Sequence, residues 1–318
     1  MKPGRRSAAT VRVMKPVVVL TAQYPAIARE ILSGLCDFVE HPTEQNRSEE
    51  EMITILSEAD AAITLLSDPL TRNVMAANAD LRMIANYAVG YNNVDVDAAR
   101  ELGIIITNTP GVLTEATADL TMGLILAVMR RIVEGDREVR TTGRCVWEPL
   151  HLLGTGLTGK RLGIIGMGRI GHAVSTRARA FGMEVMGVRR GEPLYKILAT
   201  SDVVSVHAPL TSETRHLMNA ATLRAMKRGA FLINTARGPL VDEAALCDVL
   251  DDGHLGGTGL DVYEDEPRVN PRLLAMPNVV LAPHIGSATE ETRAAMARIA
   301  ATDVALFLRG QRPRNVIT

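Results

Sequence analysis

The sequence is poor in cysteine. Its three, Cys36, Cys145 and Cys247, are an odd number, lie far apart and form no CxxC pair. A disulfide framework and a zinc site are therefore not expected, no other metal is called for, and a reducing, cytoplasmic setting is. Long apolar runs are lacking too. None approaches the roughly 18 residues of a membrane span, and the longest, Leu120 to Met129, stops at Arg130 and Arg131. Charge of one sign is absent: Lys plus Arg total 35 and Asp plus Glu 36, a net charge of −1. Neither nucleic acid nor a membrane is an expected partner, since phosphate neutralisation needs a basic excess or face. Repeats and low-complexity tracts are missing as well. Residues 1–13 hold four basic residues and no acid. A transit peptide has that flavour, but a disordered tail before Met14 is the reading adopted.

What is present is an ordinary globular composition, 47% apolar and 22% charged, over 318 residues, a length that suggests roughly two domains. Strand-like and helix-like segments alternate almost throughout. Apolar runs at Val17–Leu20, Ala61–Leu66, Leu81–Ala85 and Ile104–Ile106 form a first series, with a helix over Val94–Leu102 closed by Gly103. Asn108-Thr109-Pro110-Gly111 interrupts the pattern. One long helix is expected from Thr114, as N-cap, to Val139, apolar nearly all round in its middle. A second series follows at Leu162–Ile165, Glu184–Val188, Val203–Val206, Ala230–Ile233, Gly259–Val262 and Val279–Leu281. Continuous apolar runs between helices indicate buried parallel strands. The fold expected is α/β, two Rossmann-like domains with doubly wound parallel sheets, one flavodoxin-like and one dinucleotide-binding. The last helix, Thr289–Leu308, is expected to cover the first unit. The domains would then be 14–106 with 290–318, and 107–289.

Gly166-Met167-Gly168-Arg169-Ile170-Gly171 is a GxGxxG turn between a strand and a helix. Gly166 permits the tight turn, Gly168 lets the backbone approach a pyrophosphate, and Gly171 allows close helix–strand packing. The next strand ends on Arg189-Arg190, where an NAD site usually has an acid for the ribose 2′-OH. A guanidinium can fork onto a 2′-phosphate, so NADP(H) is expected ahead of NAD(H). Arg237, Glu266 and His284 each follow a strand of the second series, and so share the sheet edge where the glycine turn lies. Arg237 suits a substrate carboxylate. His284 suits proton donation to a carbonyl oxygen, and Glu266 beside it would orient the ring and favour its charged form.

At these motifs the sequence resembles the D-2-hydroxyacid dehydrogenases, and within them the glyoxylate/hydroxypyruvate reductases. The segments that carry the resemblance are residues 88–95, 108–114, the glycine turn, 207–211, 234–238, 261–267 and 283–287. It implies that Arg237 binds substrate, Glu266 pairs with the histidine, and His284 is the acid/base. It implies that backbone amides of Val89 and Gly90 hold the substrate carboxylate. Thr117, Arg169, Ile170, His207, Pro209, Thr214, Thr235, Asp261 and Gly286 would join the glycines and arginines at the cofactor. Trp147 would enter the site of a second subunit of a homodimer. The expected activity is reduction of glyoxylate or hydroxypyruvate to the D-2-hydroxy acid by NAD(P)H. A dehydrogenase of another 2-hydroxy acid or of phosphite, and a dinucleotide-sensing interaction protein, are the alternatives. One departure stands out. Only residues 191–201 separate Arg190 from Asp202, where related chains carry a longer excursion with an extra helix, so the adenine side of the pocket is expected to be reduced.

Overall fold

The computed structural model describes residues 15–42 and 46–318, and the tail expected at 1–13 lies outside the described residues. The chain divides into two compact units, one running to Pro110 and resuming at Ala294, the other spanning Gly111–Arg293. Each is built on a parallel sheet with helices between its strands, the α/β architecture the sequence predicts.

In the first unit the elements are β1 (Val17–Leu20), α1 (Ile27–Leu32), β2 (Asp37–Glu40), α2 (Glu49–Ile55), β3 (Ala61–Thr64), α3 (Arg72–Ala76), β4 (Met83–Asn86), α4 (Val96–Leu102) and β5 (Ile105–Thr107). Across the sheet they run β2-β1-β3-β4-β5, the flavodoxin-like order. β3 and β4 are buried at every position, which is why they read as continuous apolar runs. β2 is not foreseen by that reading. It is an edge strand bearing Asp37 and Glu40, with no residue fully buried and no apolar run. α4 starts where the Asp95 side chain accepts the Ala98 N–H and ends at Gly103, φ +70°, a left-handed position natural to glycine. Sheets of this order bind ligands where β1 and β3 diverge. Here buried Asp68 fills that crevice: it accepts from the Thr21 hydroxyl (2.5 Å) and the Leu65 N–H (2.8 Å) and pairs with Arg47 (3.0 Å).

The second unit contains α5 (Thr114–Met129), α6 (Ile132–Thr142), β6 (Arg161–Ile165), α7 (Arg169–Ala180), β7 (Glu184–Val188), α8 (Leu194–Thr200), β8 (Val203–Val206), α9 (Ala220–Arg224), β9 (Phe231–Asn234), α10 (Glu243–Asp251), β10 (Gly257–Leu260), α11 (Pro271–Ala275), β11 (Val279–Leu281) and the start of α12 (Glu290–Leu308), whose remainder belongs to the first unit. The six expected strands are all present, in the order β11-β10-β9-β8-β6-β7. Ranked along the chain this is 2-1-3-4-5-6, whereas the best-known dinucleotide-binding order is 3-2-1-4-5-6. The short stretch after Arg190 accounts for the difference. α8 takes up most of it, and the chain then passes directly to β8 on the far side of β6. β7 is left as the sheet edge, exposed at Glu184 and Gly187 and half-buried at Val185 and Met186.

The single helix expected over Thr114–Val139 is two helices, and Thr114 is its first residue, Leu113 standing at the N-cap without a side-chain bond. The break falls at Arg131, φ +54°. The Met129 carbonyl, which a continuing helix would bond four residues on, accepts the Thr155 N–H instead (2.7 Å), with Gly154 packed against it. The apolar surface of α5 is largely covered within its own unit. Thr117, Ala118, Thr121, Met122, Leu124, Ile125, Val128 and Met129 are all buried within the unit. The surplus apolar surface lies instead on α6 and the segment after it, where Ile132, Val139, Val146, Trp147, Leu150 and Leu153 are exposed.

Candidate active site

The strand order of the second sheet reverses between β6 and β8, and the glycine turn sits there. Gly166 has φ +99°, and a Cβ on it would lie 2.7 Å from the backbone of His207 and Ala208 at the end of β8. A Cβ on Gly171 would meet the Gly166 carbonyl at 2.4 Å, so these two glycines are required by the fold itself. Gly168 differs: nothing lies within 4 Å of where its Cβ would be. It caps α7 with no side-chain bond, so the first N–H groups of that helix face open space with the positive end of the helix dipole behind them. Open space above a glycine at a helix N-terminus suits a pyrophosphate, and the residues present fit a dinucleotide. Arg169 is exposed there and Ile170 is half-buried in the core behind the turn.

Around this turn, several expected cofactor residues are committed to one another. His207 bonds Ser205 through Nε2 (2.9 Å), and burial pushes the imidazole down to about 4, so it is neutral near pH 7. The Thr214 hydroxyl closes its own turn on the Pro209 carbonyl (2.7 Å). Thr117 donates to the Gly286 carbonyl (3.0 Å), and Thr121 and Thr235 share a bond of 2.9 Å. Arg189 and Arg190 are both exposed past the β7 edge. The Arg189 N–H donates to Glu192 (2.7 Å), and the Arg190 guanidinium pairs with Glu213 (3.0 Å). Neither acid was singled out from the sequence, because nothing in the spacing brings 190 and 213 together.

Arg237, Glu266 and His284 come from the loops after β9, β10 and β11 and converge as expected on one sheet edge. His284 Nδ1 bonds Glu266 Oε2 at 2.9 Å, and Glu266 Oε1 accepts the Tyr263 N–H at 2.9 Å. Burial pushes Glu266 up. The hydrogen bond and charge of His284, the Tyr263 N–H and Arg237 outweigh it and hold the carboxyl below the usual glutamate range. Burial of Arg237 lowers its very high ordinary value, which the Glu266 charge resists. The chain at His284 is left-handed, φ +55°. That turn aims the next two N–H groups at buried Asp261, whose carboxylate accepts from Ile285 (2.7 Å) and Gly286 (2.8 Å). Expected at the cofactor, Asp261 is also the anchor of the histidine loop. Gly238 lets the Arg237 loop touch the Glu266 loop, since a Cβ there would lie 1.7 Å from the Tyr263 carbonyl oxygen.

In the first unit the Val89–Gly90 loop follows β4. Asn108 donates to the Val89 carbonyl (2.8 Å) and Asn86 to that of Gly90 (2.9 Å), which sets the peptide planes of the loop. Trp147 lies on the surface of its unit, 86% exposed. Among the described residues no cluster of His, Cys, Asp and Glu could hold a metal ion, and no helix is long and apolar enough to cross a membrane.

The chain is similar to known proteins in sequence and in fold. A family model described as D-isomer specific 2-hydroxyacid dehydrogenase, NAD binding domain, matches residues 122–286. A glyoxylate reductase of Korarchaeum cryptofilum is 44% identical over 325 residues, with 96% of each chain covered. A protein of Thermus thermophilus of known structure is 44% identical with a TM-score of 0.90, covering 95% of this chain and 100% of its own. The NADPH-dependent glyoxylate/hydroxypyruvate reductase of Sinorhizobium meliloti, solved with NADP and malonate, is 31% identical with a TM-score of 0.81, covering 96% and 97%.

Proposed function

The chain belongs to the D-isomer specific 2-hydroxyacid dehydrogenases, and from that membership we propose that it reduces glyoxylate and hydroxypyruvate to their D-2-hydroxy acids. The class is an oxidoreductase of small 2-oxo acids using a nicotinamide dinucleotide. When bound, that cofactor supplies the hydride. The protein supplies the rest. Arg237 forks onto the substrate carboxylate and draws the electron density of the neighbouring carbonyl toward its oxygen. His284 gives its proton to that oxygen, and Glu266 balances the charge of the imidazolium beforehand. The observation that carries this reading is the 2.9 Å bond between Glu266 and His284 on the sheet edge that also bears the glycine turn.

NADPH is the proposed donor. Arg189 and Arg190 hold the position where an acid would repel a 2′-phosphate, and Arg190 would exchange Glu213 for the dianion. The proposed assembly is a homodimer in a reducing, cytoplasmic compartment, with the apolar surface of α6 and Trp147 covered by the partner. Initial rates of absorbance loss with glyoxylate, NADPH against NADH, test both points. We expect faster oxidation of NADPH, and in Arg189→Ala with Arg190→Ala a loss of about tenfold or more in kcat/KM for NADPH only. Equal losses for both donors would remove the phosphate role. No turnover with either would remove the substrate assignment.

A further inference from the structure

Two residues before Glu266 stands a second carboxylate with an imidazole of its own. His216 Nε2 donates to Glu264 Oε1 at 2.5 Å, and Arg215 lies 3.5 Å from the same oxygen. His216 is left-handed at φ +50°, with its N–H on the Pro239 carbonyl (2.8 Å). Strain at a histidine outside the site already described asks what it holds in place. Glu264 also meets Glu243, the first residue of α10, which is buried. The Glu264 N–H donates to Glu243 Oε1 (2.7 Å), and the Glu243 N–H donates to Glu264 Oε2 (3.3 Å). Each glutamate thus grips the other's backbone.

What this grip joins is specific. α10 follows Arg237 after a single 3₁₀ turn, Gly238–Leu240. Glu264 adjoins Tyr263, whose N–H fixes one oxygen of Glu266 and whose hydroxyl donates to the Ala282 carbonyl (2.8 Å), two residues before His284. The three loops that carry Arg237, Glu266 and His284 therefore meet at residues 263–264. We propose that the Glu243–Glu264 clamp, braced by His216, is a positioning device that holds Glu266 at hydrogen-bond distance from His284 and in register with Arg237. It touches no reacting atom. This inference rests on the catalytic reading of Glu266 and His284 given above.

The clamp works through an accepted N–H bond, so an amide should replace the buried carboxylate and a methyl should not. Glu243→Gln should keep kcat within about twofold of the parent, and Glu243→Ala should lower it by about 10- to 100-fold, the range that displacements near 1 Å produce. The KM for the dinucleotide should change little in either. In Glu243→Ala the alkaline fall of kcat/KM should move to lower pH, because the Glu266 carboxylate is then held less closely against the ring. A lowered melting temperature with unchanged kcat and pH profile would overturn the proposal, as would equal damage from Gln and Ala. If Glu243→Ala does not fold, His216→Gln carries the test, its site being 36% exposed. A fall in kcat with the same direction of pH shift supports the clamp, and unchanged kinetics overturn it. His284→Gln is measured alongside. Normal turnover in that variant would mean that the catalytic reading has failed, whereas a dead His284→Gln beside an unaffected Glu243→Ala would mean that only the clamp has.

Discussion

His284 occupies a left-handed backbone position, φ +55°, that costs a non-glycine residue about 1–3 kcal/mol. It persists because Asp261, buried, needs the two N–H groups that this turn presents. Strain here buys direction for the ring. Replacing His284 by Gln removes the proton donor while leaving the glycine turn untouched. Turnover should fall by about 10²–10⁴-fold, with dinucleotide binding by fluorescence titration retained. Turnover near that of the parent would sink the acid/base role. Glu266 makes a pH-dependent contribution of predictable sign. Its folded value lies below the ordinary 4.5, so its stabilisation is fully present above that pH and is lost as pH falls through the lower folded value. The melting temperatures of the parent and Glu266→Gln should differ at pH 7 and converge below pH 4.5. A constant gap across that range would mean that Glu266 contributes no charge interaction.

At the scale of the element, the glycine turn divides into structure and binding. Gly171 is locked against the Gly166 carbonyl, while Gly168 faces open space in extended backbone, φ −86° and ψ −163°, that alanine also adopts. Gly168→Ala should therefore leave unfolding free energy within about 0.5 kcal/mol of the parent. It should still weaken dinucleotide binding by about tenfold, because the methyl stands where the pyrophosphate approaches. Denaturant unfolding and a binding titration, run together, check both halves. Gly238→Ala is the opposite case. Its Cβ would meet backbone rather than a flexible side chain, so it should cost stability, by about 1–3 kcal/mol or more.

At the scale of the whole molecule, exposed apolar side chains are concentrated on α6 and the segment from Val146 to Leu153. Exposed apolar patches rimmed by polar residues mark interaction surfaces, which is the ground for the proposed interface. Sedimentation velocity should show a dimer for the parent, and a shift toward monomer for Trp147→Ser with Leu150→Ser. A parent that sediments as a monomer at micromolar concentration would remove the proposed interface.

Much of this molecule was legible along the chain. Buried parallel strands announce themselves as short apolar runs, and the strands of the second sheet were read in that way, although β7 is a partly exposed edge and β10 begins two residues before the run that signalled it. Arg237, Glu266 and His284 were legible because the ends of parallel strands share one edge, so three loops far apart in sequence must converge. The edge strand β2 was not, since an edge buries too little to demand apolar residues. Nor was the break between α5 and α6. Its cause is the Thr155 N–H reaching the Met129 carbonyl from 26 residues away, a long-range competitor that helical periodicity cannot register. The partners of the polar side chains were equally hidden, among them Glu213 on Arg190, Asp261 on the histidine loop, and Glu243 on Glu264. The sequence by itself determined the strands, the glycine turn and the residues that meet at one edge, because local spacing and burial dictate those. Only the tertiary structure decided which charge faces which, because a hydrogen bond depends on distances in space that spacing along the chain does not encode.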